Sequence, residues 1–286
     1  MIKDQKKDWA LVLSGGGARG LAHIGVLKAF EEAGYPKPSF VAGNSMGAIV
    51  GGFYACGMTP AEMEHFVVEQ FKITDYLDSF AFRINRAVGR VMRTGQALAN
   101  IASRTGIDSG QRALELLEKL TKGKHFHETD ITFRCNAVDL FSGREVVFSS
   151  GSIARAIRAS MSIPGVFQPL MENGMCLVDG VLLDNIPVAI ARKEGCKRVI
   201  AVNVNTFSPM GPGSLKTGPQ IIYRSIECAI LARDMQQAEQ ADVTLNIKVD
   251  AHLFSFYKQK KLIELGERVV NEKKDELNRF FGCSDE

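Results

Sequence analysis

The sequence predicts an α/β protein whose mainly parallel sheet is covered by helices on both faces. Three observations predict it. Continuous apolar runs of strand length recur along the chain, stretches of helical periodicity alternate with them, and glycines stand where one gives way to the other.

Taken in order, Trp9-Ala-Leu-Val-Leu-Ser14 is an apolar run that ends in glycines and reads as a buried strand. Ala22 to Ala33 has helical spacing, with Ile24, Leu27 and Phe30 on one side and Gly34 as its stop. Ser39 to Ala42 is a second strand, and Met46 to Cys56 a second helix closed by Gly57. Thr59, Pro60 and Glu62 open a third helix with a cap, a proline in the first turn and an early acid. Residues 73–110 are less regular. Ser109 to Lys122 is helical through Leu114, Leu116, Leu117 and Leu120. Ile131 to Val138 and Arg144 to Phe148 form a hairpin around Ser142-Gly143. Further strands are expected at Gly174 to Val178, Arg198 to Val204 and Asp242 to Ile247, a helix at Pro187 to Glu194, and one long amphipathic helix from Lys258 to Phe281.

No repeat or low-complexity linker divides the 286 residues. A single domain is expected over 1–286, with a core at about 9–205, a variable segment at about 73–110 and a C-terminal helical extension at about 217–281. Hydrophobic residues make up 45% of the chain, enough for a sizeable core, and 35 basic against 32 acidic residues leave a net charge of +3. That balance argues against nucleic-acid binding. The six cysteines form no CxxC pair, so neither a zinc site nor a disulfide framework is indicated. The charged N-terminus has no apolar segment behind it and no stretch reads as a membrane span. The expected location is cytoplasmic, with a peripheral place at the inner membrane surface left open.

Two glycine-bearing joints carry the chemistry. Gly15, Gly17 and Gly20 in Ser14-Gly-Gly-Gly-Ala-Arg-Gly20 fit GxGxxG after a strand and before a helix. A dinucleotide site would need an acid at the end of the next strand, where Gly43-Asn44-Ser45 stands instead, and no GK[ST] follows for a phosphate-binding loop. What survives is a loop whose N–H groups stabilise negative charge, phosphate or oxyanion, with a plain tight turn as the alternative. Gly43-x-Ser45-x-Gly47 fits a nucleophile elbow, with the strand before it and the helix after it that such an elbow needs. The glycines relieve the crowding of a sharp turn, and the helix dipole favours an attacking alkoxide. A helix-capping serine before a small-residue packing face is the alternative.

A serine nucleophile needs a base. Of His23, His65, His125, His127 and His252, only His252 follows Asp179 in the order of a conventional triad, and it has no glycine-rich setting. Asp179 is the better candidate. It ends an apolar strand beside Gly180, and ligand sites in parallel sheets gather at the carboxyl ends of strands. A carboxylate in a dry site gains proton affinity and can accept the serine proton. Taken alone, Asp179 also suits an Asx turn.

Together the segments at 15–20, 43–47 and 179–181 resemble the patatin-like phospholipases, and so do Ala159 to Pro169 and Asp184-Asn185-Ile-Pro187. The resemblance runs over about residues 9–205, and the chain is identified as a bacterial-type member. It implies a three-layer α/β/α sandwich, a Ser–Asp dyad without histidine, and hydrolysis of acyl esters in phospholipids or related lipids through an acyl-enzyme, with no metal or cofactor. By position, Ser45 is the nucleophile and Asp179 the base. The N–H groups of Gly15, Gly16, Gly17, Ala18, Arg19 and Gly20 form the oxyanion hole, Gly43 and Gly47 flank the elbow, and Gly180 and Val181 complete the Asp-Gly motif. The elbow glycines are then expected to clear room for an acyl carbonyl to reach Ser45. Arg19 occupies the family's basic position, where it either serves the site or merely holds the loop. Val181, Asn44 and Met46 depart from the commoner residues, which leaves pocket shape and substrate choice open.

Arg83, Arg86, Arg90 and Arg93 are spaced to form one helical stripe that could meet an anionic membrane. Two other functions compete with lipid hydrolysis: a regulatory or adaptor protein with this fold and little turnover, and a triad esterase using His252.

Overall fold

A strand covered on both faces must be apolar at every position, because alternate side chains point into different cores. In β1 (Ala10–Leu13), Leu11 and Leu13 enter the larger core while Ala10 and Val12 enter a second one. β2 (Phe40–Gly43) and β9 (Val199–Asn203) divide likewise, with Val41, Ile200 and Val202 in the first core and Phe40, Ala42, Val199 and Ala201 in the second. The computed structural model describes residues 9–78, 106–206, 209–250 and 255–283. The arginine stripe at 83–93 and His252 lie outside the described residues.

These strands are the middle of an eight-stranded sheet, with β4 (Thr132–Asp139), β5 (Arg144–Phe148), β7 (Leu170–Glu172), β8 (Met175–Asp179) and β10 (Val243–Asn246). Its order is β10-β9-β1-β2-β4-β8-β7, and β5 also pairs with β4. The strands from β10 to β4 are parallel, whereas β5 and β8 run antiparallel to β4, and β7 antiparallel to β8. β3 (Gly106–Asp108) and β6 (Gly165–Phe167) form a separate parallel pair.

Against the larger core lie α1 (Ala22–Glu32), α2 (Met46–Ala55), α3 (Pro60–His65), α4 (Gln111–Leu120), α5 (Ile153–Ser160) and α8 (Gln259–Glu272). α6 (Val188–Lys193) and the end of α7 (Gly218–Ala238) cover the other face. The α/β/α layering is therefore observed. α3 begins as expected: the Thr59 hydroxyl accepts the Glu62 N–H and the Glu62 carboxylate accepts the Thr59 N–H. α1 meets α8 backbone to backbone. A Cβ on Gly25 would run into the Ile263 carbonyl, and one on Gly266 into the Ala22 carbonyl.

One expected element differs. The long helix from Lys258 is two, α8 and α9 (Lys274–Phe281), broken at Lys273. The bend lays Phe281 on Tyr35 with ring centroids 4.5 Å apart and packs Phe280 and Phe281 edge-on against Trp9. Burying that aromatic cluster outweighs the continuity of one helix. Among the described residues no helix is long and apolar enough to cross a membrane.

Candidate active site

Because Leu13 pairs with Gly43, the joints that follow β1 and β2 lie side by side at the carboxyl ends of the two strands. Ser45 occupies the second joint with φ 52° and ψ −117°, a conformation that costs a residue with a Cβ about 1–3 kcal/mol. Three bonds hold it there. Asn44 N–H donates to Leu13 O (3.1 Å), Ser45 N–H to Ser160 Oγ (2.9 Å) and Ile49 N–H to Ser45 O (3.1 Å). The Ser45 side chain caps no helix N–H, contrary to the helix-cap alternative.

The two elbow glycines serve the backbone itself. A Cβ on Gly43 would strike the Gly47 carbonyl, and one on Gly47 would strike the carbonyls of Leu13 and Ser14. The room they provide lets the turn close against β1, as the crowding argument expected. Neither Gly43 nor Gly47 is among the residues that line the cavity in front of Ser45.

Asp179 reaches Ser45 by a route unlike the one its strand suggests. The strand reading puts it at the carboxyl end of a parallel strand, but β8 is antiparallel to β4. Asp179 pairs with Ala137, two residues beyond Cys135, which is level with Gly43. β4 thus overhangs β2, and β8 runs inward from beyond the carboxyl ends of the parallel strands and ends beside the elbow. The buried carboxylate accepts hydrogen bonds from Val181 N–H (2.9 Å) and from Asn44 Nδ2 (3.1 Å), and the Ser45 side chain beside it helps to hold its charge. The Val181 bond closes an Asx turn, so Asp179 is a turn former that also lies beside Ser45. Burial pushes its pKa up to about 6, and these three neighbours hold it from rising further. Gly180 is required here, since a Cβ would meet Asn136 Oδ1 at 2.7 Å and strike the Asn44 amide.

The glycine loop faces Ser45 from β1. Gly15 N–H donates to Asn185 Oδ1 (3.0 Å), Arg19 N–H to Gly16 O (3.2 Å), and Gly20 N–H lies within the 3-10 turn, so three of the six expected oxyanion donors are already engaged. Gly16, Gly17 and Ala18 stand at the start of the 3-10 turn Gly17–Leu21, where first-turn N–H groups have no partner within the turn. Gly17 has φ 55°, a left-handed value suited to glycine. The Arg19 guanidinium bonds Asn205 Oδ1 (3.4 Å), whose Nδ2 donates to Gly15 O (2.8 Å), a contact that holds the loop.

In front of Ser45 and Gly17 opens a cavity of about 140 Å³. It is lined by Met46, Ile49, Phe53, Met63, Leu117 and Phe256 among others, and among the described residues no charged side chain lines it. Of the two elbow departures, Met46 faces this cavity and Asn44 faces away, into the polar bonds behind Ser45.

Sequence reasoning assigned no roles to Asn44, Ser160 or Asn185. Asn185 was visible only inside an Asp-Asn-Ile-Pro segment, and polar residues spread over 140 positions carry no common periodicity. His23, fully buried on α1, donates from Nε2 to Ser14 O (2.8 Å) behind the loop. Burial lowers its pKa to about 4, so it is neutral at neutral pH.

A family model described as patatin-like phospholipase matches residues 11–192. The chain belongs to the patatin-like phospholipase family. Lysophospholipase NTE1 of Kluyveromyces lactis is 33% identical over 216 residues, 74% of this chain and 14% of that protein. An uncharacterized NTE family protein of Mycobacterium bovis is 35% identical over 203 residues, 71% of this chain and 50% of that one. The chain thus spans half or less of the length of these curated relatives. VipD from Legionella pneumophila superposes with a TM-score of 0.52 at 17% identity, over 94% of this chain and 67% of that one, a likeness of fold. The patatin-like match takes in the glycine loop, Ser45, Asp179 and Asn185, and stops before α7 and α8.

Proposed function

We propose that this chain hydrolyses an acyl ester of a phospholipid or related lipid through Ser45 and Asp179. The observation that carries the reading is Ser45, held in a strained turn beside the buried Asp179 carboxylate, at the mouth of a cavity that no charged side chain of the described residues lines. The acyl chain lies in the cavity and its carbonyl carbon meets Ser45 Oγ. As Oγ attacks, its proton passes to Asp179 and the carbonyl oxygen becomes an oxyanion facing the N–H groups of Gly16, Gly17 and Ala18. Collapse of that intermediate breaks the ester bond. Asp179 returns its proton to the departing alcohol oxygen, leaving the acyl group on Ser45. Water then attacks the acyl-enzyme while Asp179 takes its proton, collapse of the second tetrahedral intermediate breaks the bond from Ser45 Oγ to the acyl carbon, Asp179 returns the proton to Oγ, and the fatty acid leaves. The family's named lysophospholipase relatives support a single-chain lipid as the first substrate to try.

The test is a panel of acyl esters, phospholipids and lysophospholipids. Ser45→Ala and Asp179→Asn should each lose on the order of 10⁴-fold in kcat, and the double variant little more, because residues acting as a unit are not additive. Turnover by folded Ser45→Ala would sink the reading. Binding of a lipid by wild type with no turnover would favour a regulatory protein. On sequence grounds Arg83, Arg86, Arg90 and Arg93 are kept as a proposed contact with anionic head groups, to be tested by vesicle sedimentation of an Arg86→Glu, Arg90→Glu double variant.

A further inference from the structure

Asn185 stands between the glycine loop and α7, and its amide is bonded at both ends. Oδ1 accepts from Gly15 N–H (3.0 Å) and from Asn44 Nδ2 (3.0 Å), while Nδ2 donates to Asp234 Oδ2 (2.7 Å). The same Asn44 Nδ2 donates to Asp179 Oδ1 (3.1 Å). Asp234 is 1% exposed and lies on α7, past the last residue of the family match.

A carboxamide is nearly the same shape when its oxygen and nitrogen exchange places. Its direction must therefore be set by a neighbour that can only accept or only donate. An ionised carboxylate only accepts. Burial raises Asp234 to about 6, so at neutral pH it is ionised, and with the donor-only Gly15 N–H on the other side it turns the Asn185 NH₂ towards itself and Oδ1 towards Gly15 and Asn44. The Asn44 amide must then present its NH₂ to that oxygen, which points its other hydrogen at Asp179. Asn44 Oδ1 is left for the Ser160 hydroxyl (3.4 Å), and Ser160 Oγ accepts from Ser45 N–H. Four further bonds brace α7 on the same segment: Arg233 donates to the carbonyls of Leu182 and Leu183, Gln237 Nε2 donates to Leu183 O (3.3 Å), and Ile186 N–H donates to Gln237 Oε1 (3.2 Å).

We propose that Asp234 is a positioning residue for the Ser45–Asp179 pair, setting the direction of the Asn185 and Asn44 amides in turn and so aiming an N–H at Asp179 while tying the glycine loop to the elbow. The proposal rests on the dyad reading given above.

The experiment compares Asp234→Leu and Asp234→Asn in the full chain, with Ser45→Ala as the blank. Leucine removes the acceptor, whereas asparagine keeps an oxygen that can face Asn185. Asp234→Leu should lower kcat roughly 10- to 100-fold, the worth of a hydrogen bond to a charged group, and leave KM nearly unchanged because the acyl cavity is untouched. The acid limb of kcat/KM should move to higher pH, since Asp179 loses a donor that holds its pKa down. Asp234→Asn should restore most of kcat and the original limb. A merely structural role for Asp234 would change stability without moving the limb. Wild-type kcat and limb in a folded leucine variant would overturn the proposal, and so would an asparagine variant as impaired as leucine. Should the leucine protein not fold, Asp234→Ala takes its place with the same expected loss, and full kcat in that variant is equally fatal. Activity in Ser45→Ala would instead defeat the dyad reading, whatever the Asp234 variants do.

Discussion

Ser45 separates two half-sites of opposite chemistry. In front lies a cavity whose lining, among the described residues, offers almost no polar atom besides Ser45. Behind lie Asn44, Asn185, Asp179 and Asp234, joined by hydrogen bonds, with Asp184 and Asn136 beside them. Met46 and Asn44 are two positions apart in sequence and fall on opposite sides, because the strained turn at Ser45 swings the chain between them. The contrast teaches that the apolar side offers room for an apolar chain without selecting it by charge, while the polar side tunes the Asp179 carboxylate. The front works by exclusion of water and the back by direction of hydrogen bonds.

If the loop lies at the boundary of these halves, a side chain there should do the most harm. Gly17→Val places a β-branched residue at φ 55° beside the open N–H groups, and we expect roughly 100- to 1,000-fold loss of kcat. A loss confined to KM would move the oxyanion site elsewhere.

The tuning of the base is read from pH. Asp179 must be ionised to accept a proton, and burial raises it to about 6. Below that value kcat/KM should fall about tenfold per pH unit. A limb near 4 would mean that the rear half does not tune it.

The front half is probed by filling it. Ile49→Phe narrows the cavity, and the preference among acyl esters should shift by roughly tenfold toward shorter chains. Unchanged chain-length preference would show that the acyl group lies elsewhere.

The smallest effect concerns stability alone. Burial, with Glu145 and Asp234 nearby, raises the Asp184 carboxyl to about 7, and its Oδ1 has no partner among the described residues. The stability tied to its neutral form is fully present below about pH 4 and lost as pH rises through 7. Asp184→Asn should therefore stabilise the protein by about 1–3 kcal/mol at pH 8 and by little at pH 4, as read from urea midpoints. Equal effects at both pH values would refute the charge argument.

Much of the core was legible because β1, β2 and β9 are apolar at successive positions, which only a strand covered on both faces requires. β3, β6 and β7 have three residues each, too few to show a period. The break at Lys273 was hidden because α8 and α9 continue one amphipathic pattern, and what bends them is aromatic packing on Trp9 and Tyr35, far away in sequence.

By itself the sequence determined the glycine loop, the serine between two glycines, the Asp-Gly pair and the family they belong to, since local turn chemistry and strand–helix context are written in adjacent residues. Only the tertiary structure decided that β8 runs antiparallel yet delivers Asp179 to Ser45, that Gly15 and Arg19 have already spent their N–H groups, and that Asn44, Asn185 and Asp234 stand in one line. The physical reason is that hydrogen-bond direction and burial depend on which segments become neighbours. The bonds from Asn44 to Asp179 and from Asn185 to Asp234 span 135 and 49 positions, and no local pattern encodes a partner at that distance.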